Sequence, residues 1–336
     1  MADRIRTGVI GLGRMGKHHC RVYSSLREAE LIGVFDINPT TTAELAKTYE
    51  VKGFNSLDHL LEEVDAVSIA TPTPTHFDIV QRCIAKNVHV LVEKPITDSV
   101  EAADQLLDLA DRNPQLMIQV GHIERFNPTY IELKHVIETL TVLAVNFRRL
   151  SPYRVSNKDV DVVLDLMVHD LDLSIDLTGR EPSAISAYGL KPFSTGLDHV
   201  VAQLFYPENP LITLTASRVT EEKIRAVEVT AEDAFIEADF LNKQIYIHRC
   251  STGEYTSRNN NGVKYQQESL IQRILVPNAE PLALEIKHFL NCIVQGCQPC
   301  VSILAGLRAL RLAEQIRAQI NEQNTVFNLQ PGLVAG

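Results

Sequence analysis

Gly8-Val9-Ile10-Gly11-Leu12-Gly13-Arg14-Met15-Gly16 joins the end of a short apolar run to G-x-G-x-x-G. The run Ile5–Ile10 has strand character, and a helix-compatible stretch continues to about Ser25. Between a strand and a helix, Gly11 permits a tight turn and Gly13 lets the backbone approach a pyrophosphate. Gly16 lets helix and strand pack closely. Arg14 and Met15 fall in the first turn of that helix, whose N–H groups face the phosphates. A second apolar run, Leu31–Phe35, ends at Asp36, twenty residues beyond Gly16. A carboxylate there accepts hydrogen bonds from both ribose hydroxyls and repels a 2′-phosphate, so the expected cofactor is NAD rather than NADP.

The remaining composition sets bounds. At 336 residues the chain is long for one core, so two domains are expected. It is 45% hydrophobic and 22% charged, the balance of a globular protein. No apolar run approaches the ~20 residues that cross a bilayer. The first residues enter a strand without a signal-peptide pattern, so a cytoplasmic protein without membrane contact is expected. A net charge of −10 with no basic tail argues against nucleic acid. The six cysteines, at 20, 83, 250, 292, 297 and 300, are expected as reduced thiols. His288, Cys292, Cys297 and Cys300 have zinc-ligand chemistry, but buried thiols are the simpler reading and no metal is expected.

Along residues 1–121, strand runs at Ile5–Ile10, Leu31–Phe35, Ala66–Ala70, Val88–Val92 and Met117–Val120 alternate with helical stretches. Near-continuous apolar strands separated by helices predict an α/β domain with a doubly wound parallel sheet of Rossmann type. After Gly121 the pattern changes. Helices are expected at Pro128–Glu138 and Val162–Leu177, with a strand between them at Val142–Arg149. A series of strands follows at Ala184–Leu190, His199–Phe205, Leu211–Ser217, Ala226–Ala231, Phe235–Asp239 and Gln244–His248. Ser251–Asn261 reads as an exposed polar loop, and two helices near Leu282–Gln295 and Ile303–Asn321 close the chain. Residues 122–336 are therefore expected to form an α+β domain with a mostly antiparallel, open-faced sheet for substrate binding and oligomerisation. The active site is expected in the crevice between the domains. One sheet side left free predicts a homodimer or homotetramer.

Two loops at the ends of parallel strands carry chemistry. Ala70-Thr71-Pro72-Thr73-Pro74-Thr75-His76 makes a stiff, polar edge, with Thr71, Pro72 and His76 as cofactor candidates; an ordinary loop with Thr75 as helix cap fits equally. Glu93-Lys94-Pro95 ends the next strand, where Lys94 could reach a substrate hydroxyl or be a plain surface lysine. Asp165-Leu166-Met167-Val168-His169 places a carboxylate and an imidazole one helical turn apart, with Asp172 near the same stripe. An imidazole titrating near neutrality is a candidate proton acceptor, and a surface ion pair is the alternative.

G-x-G-x-x-G, Asp36, the Ala-Thr-Pro loop with His76, and Glu93-Lys94-Pro95, in this order, resemble the glucose–fructose oxidoreductase/inositol dehydrogenase (Gfo/Idh/MocA) family over nearly the whole chain. The resemblance implies that Lys94 and Glu93 lie at the reacting centre beside the nicotinamide, and that Asp165 and His169 are the acid–base pair. Gly121-His122-Ile123-Glu124-Arg125-Phe126-Asn127-Pro128, Arg149-Leu150-Ser151-Pro152 and Val163–Asp170 look like the family's UDP-N-acetylglucosamine 3-dehydrogenase branch. That branch oxidises the sugar 3-hydroxyl to a ketone ahead of transamination, which implies a downstream aminotransferase partner.

A UDP-sugar carries a pyrophosphate, and Arg148, Arg149, Arg154 and Lys158 offer phosphate partners, with edge-strand charges or subunit contacts as the other reading. Arg125 and Asn127 are candidates for holding sugar or cofactor. Tyr153, Phe193 and Tyr188 are candidates for a base platform. The expected activity is hydride transfer from a secondary sugar hydroxyl to NAD, with either Lys94 or His169 as the formal base. Alternatives are an inositol or other polyol dehydrogenase of the same family, or an NAD-sensing regulator without catalysis.

Overall fold

The computed structural model describes residues 4–153, 160–256, 263–322 and 326–327. Two compact units divide the chain: Met1–Phe126 with Ala279–Arg311, and Asn127–Asn278 with Leu312–Gly336. Among the described residues no helix is long and apolar enough to cross a membrane.

The first unit alternates strand and helix: β1 (Ile5–Ile10), α1 (Arg14–Ser25), β2 (Ala29–Phe35), α2 (Pro39–Tyr49), β3 (Lys52–Gly53), α3 (Leu57–Leu61), β4 (Ala66–Ile69), α4 (His76–Ala85), β5 (His89–Glu93), α5 (Val100–Asp111) and β6 (Ile118–Gly121). Its six strands run in the order β3-β2-β1-β4-β5-β6, all parallel. β4 and β6 are buried at every residue, as helices on both faces require. The strand order reverses between β1 and β4, so the loops after them border the place where such sheets bind ligands. Asn38 starts α2 by accepting the Thr40 N–H at 3.0 Å, with Pro39 at the first helical position.

The second unit opens with α6 (Pro128–Ile137) and β7 (Val142–Leu150). A π turn at Val163–Met167 then leads into α7 (Val168–Thr178). The strands β8 (Ala184–Leu190), β9 (His199–Phe205), β10 (Leu211–Ser217), β11 (Ile224–Ala231), β12 (Phe235–Asp239), β13 (Gln244–Thr256) and β14 (Val263–Leu275) follow. They join a nine-stranded sheet in the order β14-β13-β12-β11-β7-β10-β9-β8-β15, where β15 is Val326–Phe327. Pairing is antiparallel except between β7 and β10 and between β8 and β15. Val200, Ala202 and Leu204 of β9 and Ile212, Leu214 and Ala216 of β10 point into one core. There they meet Leu171 of α7.

Two helices follow β14 and precede β15, α8 (Pro281–Gln295) and α9 (Ile303–Glu322). Here the units depart from the expected division into 1–121 and 122–336. α8 returns to the first unit, where Leu282, Ile286, Phe289 and Leu290 share a core with Leu12, Val22 and Tyr23. Each such side chain contributes about 1.5–3 kcal/mol on burial, enough to decide where an amphipathic helix packs.

Two local expectations also change. Residues 251–256, read as loop, continue β13 and pair with 263–268 of β14. Residues 257–262 of that stretch lie outside the described residues. The helix expected over Val162–Leu177 begins as a π turn, which hydrophobic spacing does not distinguish from an α turn.

Candidate functional site

The glycine-rich turn is built around three different needs. Gly11 has φ +84°, and a Cβ there would lie 2.7 Å from Thr71 Cγ2. A Cβ on Gly16 would fall 1.9 Å from the Gly11 carbonyl oxygen, so no side chain fits between turn and helix. Gly13 is exposed, and a Cβ there would meet nothing within 4 Å. That open space lies at the N-cap of α1, where no side chain caps the helix and no acidic residue stands in the first turn. Arg14 is exposed there and Met15 half-buried. The arrangement suits a pyrophosphate.

Asp36 does two tasks at once. Its Oδ2 accepts the Leu12 N–H at 2.7 Å, which ties the turn to the end of β2, and its Oδ1 accepts the Asn38 N–H at 2.8 Å. Each carboxylate oxygen keeps a second lone pair for a ribose hydroxyl. A cavity of about 490 Å³ joins Gly11, Gly13, Asp36, Ile37, Thr71 and Pro72. Ile37 is 93% exposed, an apolar surface beside Asp36. Five expected cofactor residues therefore meet at one cavity, and Ile37 is an addition that sequence reading missed. Its exposure, the informative property, has no sequence signal.

Thr75 is not a side-chain cap. Its hydroxyl donates to Thr71 Oγ1 and the Pro72 carbonyl, both at 2.8 Å. His76 is 1% exposed, and its ring sits between two backbone carbonyls, with Nδ1 3.0 Å from Pro95 O and Nε2 3.0 Å from Thr71 O. Burial lowers its pKa, opposed by those carbonyls and by Glu93. The imidazole thus braces the Thr71 loop and the Glu93-Lys94-Pro95 segment from the interior.

Glu93 is held from a second direction. His19 of α1, also 1% exposed, places Nε2 3.0 Å from Glu93 Oε1 and Nδ1 2.9 Å from Ser68 Oγ. Tyr23 OH lies 2.9 Å from the same Ser68 oxygen. Burial pushes the Glu93 carboxyl up, but the His19 bond and the charges of His19 and Lys94 outweigh it, and it titrates below its ordinary range. His19, Ser68 and Tyr23 went unread in the sequence because their partners lie 45–74 residues away.

In the second unit, Asp161 Oδ1 accepts the N–H groups of Val163 at 3.0 Å and Leu164 at 3.1 Å, which starts the π turn. Asp165 lies in that turn and His169 on the first turn of α7, both half-buried. The fanning of a π turn is a frequent feature of functional sites. Arg149 departs from the expected phosphate contact. It is 3% exposed and gives Nε and Nη2 to Asp170, at 2.9 and 2.6 Å, bonding β7 to α7 one residue beyond His169. Arg148 pairs with Glu228 at 3.3 Å. Asn127, expected to touch sugar or cofactor, is buried and caps α6 by accepting the Thr129 N–H at 3.0 Å. Arg125 donates to Cys300 O at 3.3 Å. Tyr153 and Phe193 are in ring contact, with centroids 5.1 Å apart and planes tilted by 47°. Arg154 and Lys158 lie outside the described residues.

His288 Nε2 accepts the Cys300 N–H at 3.1 Å and lies 3.5 Å from Cys292 Sγ. Among the described residues no group of three or more His, Cys, Asp or Glu is arranged to hold a metal ion.

Residues 5–122 match the profile of an oxidoreductase family with the NAD-binding Rossmann fold, GFO/IDH/MocA, and residues 134–327 match that family's C-terminal α/β domain. A UDP-N-acetylglucosamine 3-dehydrogenase of Acidithiobacillus ferrooxidans is 36% identical over 316 residues, which cover 94% of this chain and 97% of that one. A solved structure of a UDP-N-acetylglucosamine 3-dehydrogenase from that organism aligns with TM-score 0.85 at 35% identity, covering 95% of this chain and 98% of the other. An inositol 2-dehydrogenase of Rhizobium meliloti is 26% identical, covering 96% and 98%.

Proposed function

Since the chain belongs to the Gfo/Idh/MocA oxidoreductase family and its first unit is an NAD-binding Rossmann fold, we propose that it oxidises the 3-hydroxyl of UDP-N-acetylglucosamine to a ketone. One observation carries the choice of substrate: the near full-length identity of 36% to a UDP-N-acetylglucosamine 3-dehydrogenase, against 26% to an inositol 2-dehydrogenase. Bound NAD supplies the nicotinamide that accepts the hydride from the carbinol carbon.

The chain's own residues supply the rest. Gly11, Gly13 and the first turn of α1 take the pyrophosphate, and Asp36 takes the ribose hydroxyls. His169 accepts the hydroxyl proton and passes it to solvent, and Asp165 orients the imidazole or a neighbouring hydroxyl. Lys94 stabilises the developing alkoxide with its ammonium group. The buried Arg149–Asp170 pair belongs to the scaffold of α7, so its part is to hold the helix that carries His169. The paired, tilted rings of Tyr153 and Phe193 offer the uracil an aromatic surface.

Reduction of NAD is followed with UDP-N-acetylglucosamine, free N-acetylglucosamine or myo-inositol, with a glutamate-dependent aminotransferase added to remove ketone. Turnover confined to the UDP-sugar is expected. Turnover with myo-inositol and not the UDP-sugar would transfer the protein to the polyol dehydrogenases.

A further inference from the structure

The helix that presents its N-terminus to the dinucleotide also carries a histidine the sequence reading passed over. We infer that His19 is a positioning residue for Lys94: it bonds and orients the Glu93 carboxylate next to the lysine, so that one helix, α1, serves both the cofactor turn and the reacting centre. The inference rests on the proposed role of Lys94 and not on the identity of the alcohol.

The directions of the hydrogen bonds follow from Glu93. A carboxylate only accepts, so His19 Nε2 carries the proton it donates to Oε1. On its other side, His19 Nδ1 lies 2.9 Å from Ser68 Oγ, and the Tyr23 hydroxyl lies 2.9 Å from the same oxygen. The contacts run without a break from Tyr23 through Ser68 and His19 to Glu93, the residue before Lys94. The backbone N–H of Lys94 donates to Glu93 Oε2 at 3.3 Å, which fixes the carboxylate next to the lysine's own main chain.

The surroundings are shaped for this carboxylate. Gly121 of β6 faces it with no side chain, and a Cβ there would come within 3.2 Å of Glu93 Oε2. The other titratable groups that face the chain of bonds are Lys94, His76 at the start of α4 and, behind Tyr23, Cys20 and the buried Glu285 of α8. Burial holds Cys20 as a thiol with its pKa pushed up to about 12, and holds Tyr23 as a phenol. His19 is therefore the donor that reaches Glu93 from α1. Without it, a carboxyl with a side chain only 15% exposed would shift toward the neutral acid, and Lys94 would lose the adjacent charge that favours its ammonium form.

Three variants test this: His19→Leu, which removes both ring bonds; His19→Gln, which can still donate to Glu93 and accept from Ser68; and Glu93→Gln, which is neutral at every pH. Each is compared with wild type across pH on whichever alcohol the wild type oxidises. NAD affinity and thermal unfolding report on the fold. For His19→Leu, kcat at pH 7 is expected to fall by about tenfold or more, with the ratio to wild type recovering as alkali ionises Glu93. Glu93→Gln is expected to show the same loss with no recovery, and His19→Gln to stay within about threefold of wild type.

A second readout needs no turnover. The ¹⁵N shifts of His19 in the cofactor-free protein are expected to report a proton on Nε2. A loss in His19→Leu that is constant across pH, equal losses in both His19 variants, or an Nε2 without a proton would overturn the inference. If His19→Leu is silent while Lys94→Ala is inactive, the inference fails and the proposed role of Lys94 stands. If both are silent, that role fails with it.

Discussion

Lys94 and His169 are asked to do different things, and substitution separates them from the scaffold. Lys94→Ala and His169→Ala are each expected to lower kcat by about 10²–10⁴, the usual worth of a positioned acid or base, with NAD affinity kept. Steady-state kinetics and a fluorescence titration with NADH check both halves. Asp36 is a different case, because its carboxylate holds Leu12 as well as the expected ribose. Asp36→Asn is expected to raise KM for NAD by about tenfold or more, through the loss of charge-assisted bonds, and to improve NADP relative to NAD. The sequence displayed these residues because each belongs to a short linear pattern. It did not display His19, whose meaning comes from Glu93, 74 positions later. Nor did it show that Arg149 and Asn127 are buried, with Arg149 bonding β7 to α7 and Asn127 capping α6.

Elements were legible where one face is apolar and the other polar. β8, β9, β10 and β12 begin and end where their hydrophobic patterns do, because burial on one sheet face sets both pattern and length, and β1, buried on both faces, is legible as a short apolar run. The β13–β14 hairpin broke this rule. Its outer half pairs through backbone bonds, and the polar residues from Ser251 onward read as loop. β3 is two exposed residues and leaves no signal. At this scale the buried pairs decide geometry. Arg149–Asp170 fixes α7 against β7, while Arg218 donates to Asp198 at 2.7 Å and to Val160 O at 2.6 Å. Arg149→Ala leaves Asp170 as a buried charge without its guanidinium, and a loss of about 3–5 kcal/mol of stability is expected by urea unfolding. Arg149→Ala should also lower kcat, because His169 is carried by the helix that is released.

For the molecule as a whole, one buried and three half-buried imidazoles contribute to the response to acid. His76, His89, His199 and His288 all have pKa values lowered from 6.5 by burial. The unfolded chain therefore binds protons that the folded chain refuses as pH falls below about 6.5, so stability is present above that value and declines below it. Calorimetry is expected to give a Tm nearly constant from pH 7 to 8 and a progressive fall below pH 6.5. A flat Tm down to pH 5 would contradict it. The two-domain α/β organisation was legible from the change of pattern at Gly121, but the return of α8 was not, since a helix's apolar stripe does not name the surface it will cover. That return has a consequence for biosynthesis. A ribosome releases the chain in one direction, and the core around Leu12, Val22 and Tyr23 lacks Ile286 and Phe289 until almost the entire polypeptide has emerged. Nascent chains ending near residue 126 should stay protease-sensitive and chaperone-bound, and supplying 279–311 as a separate peptide should rescue them.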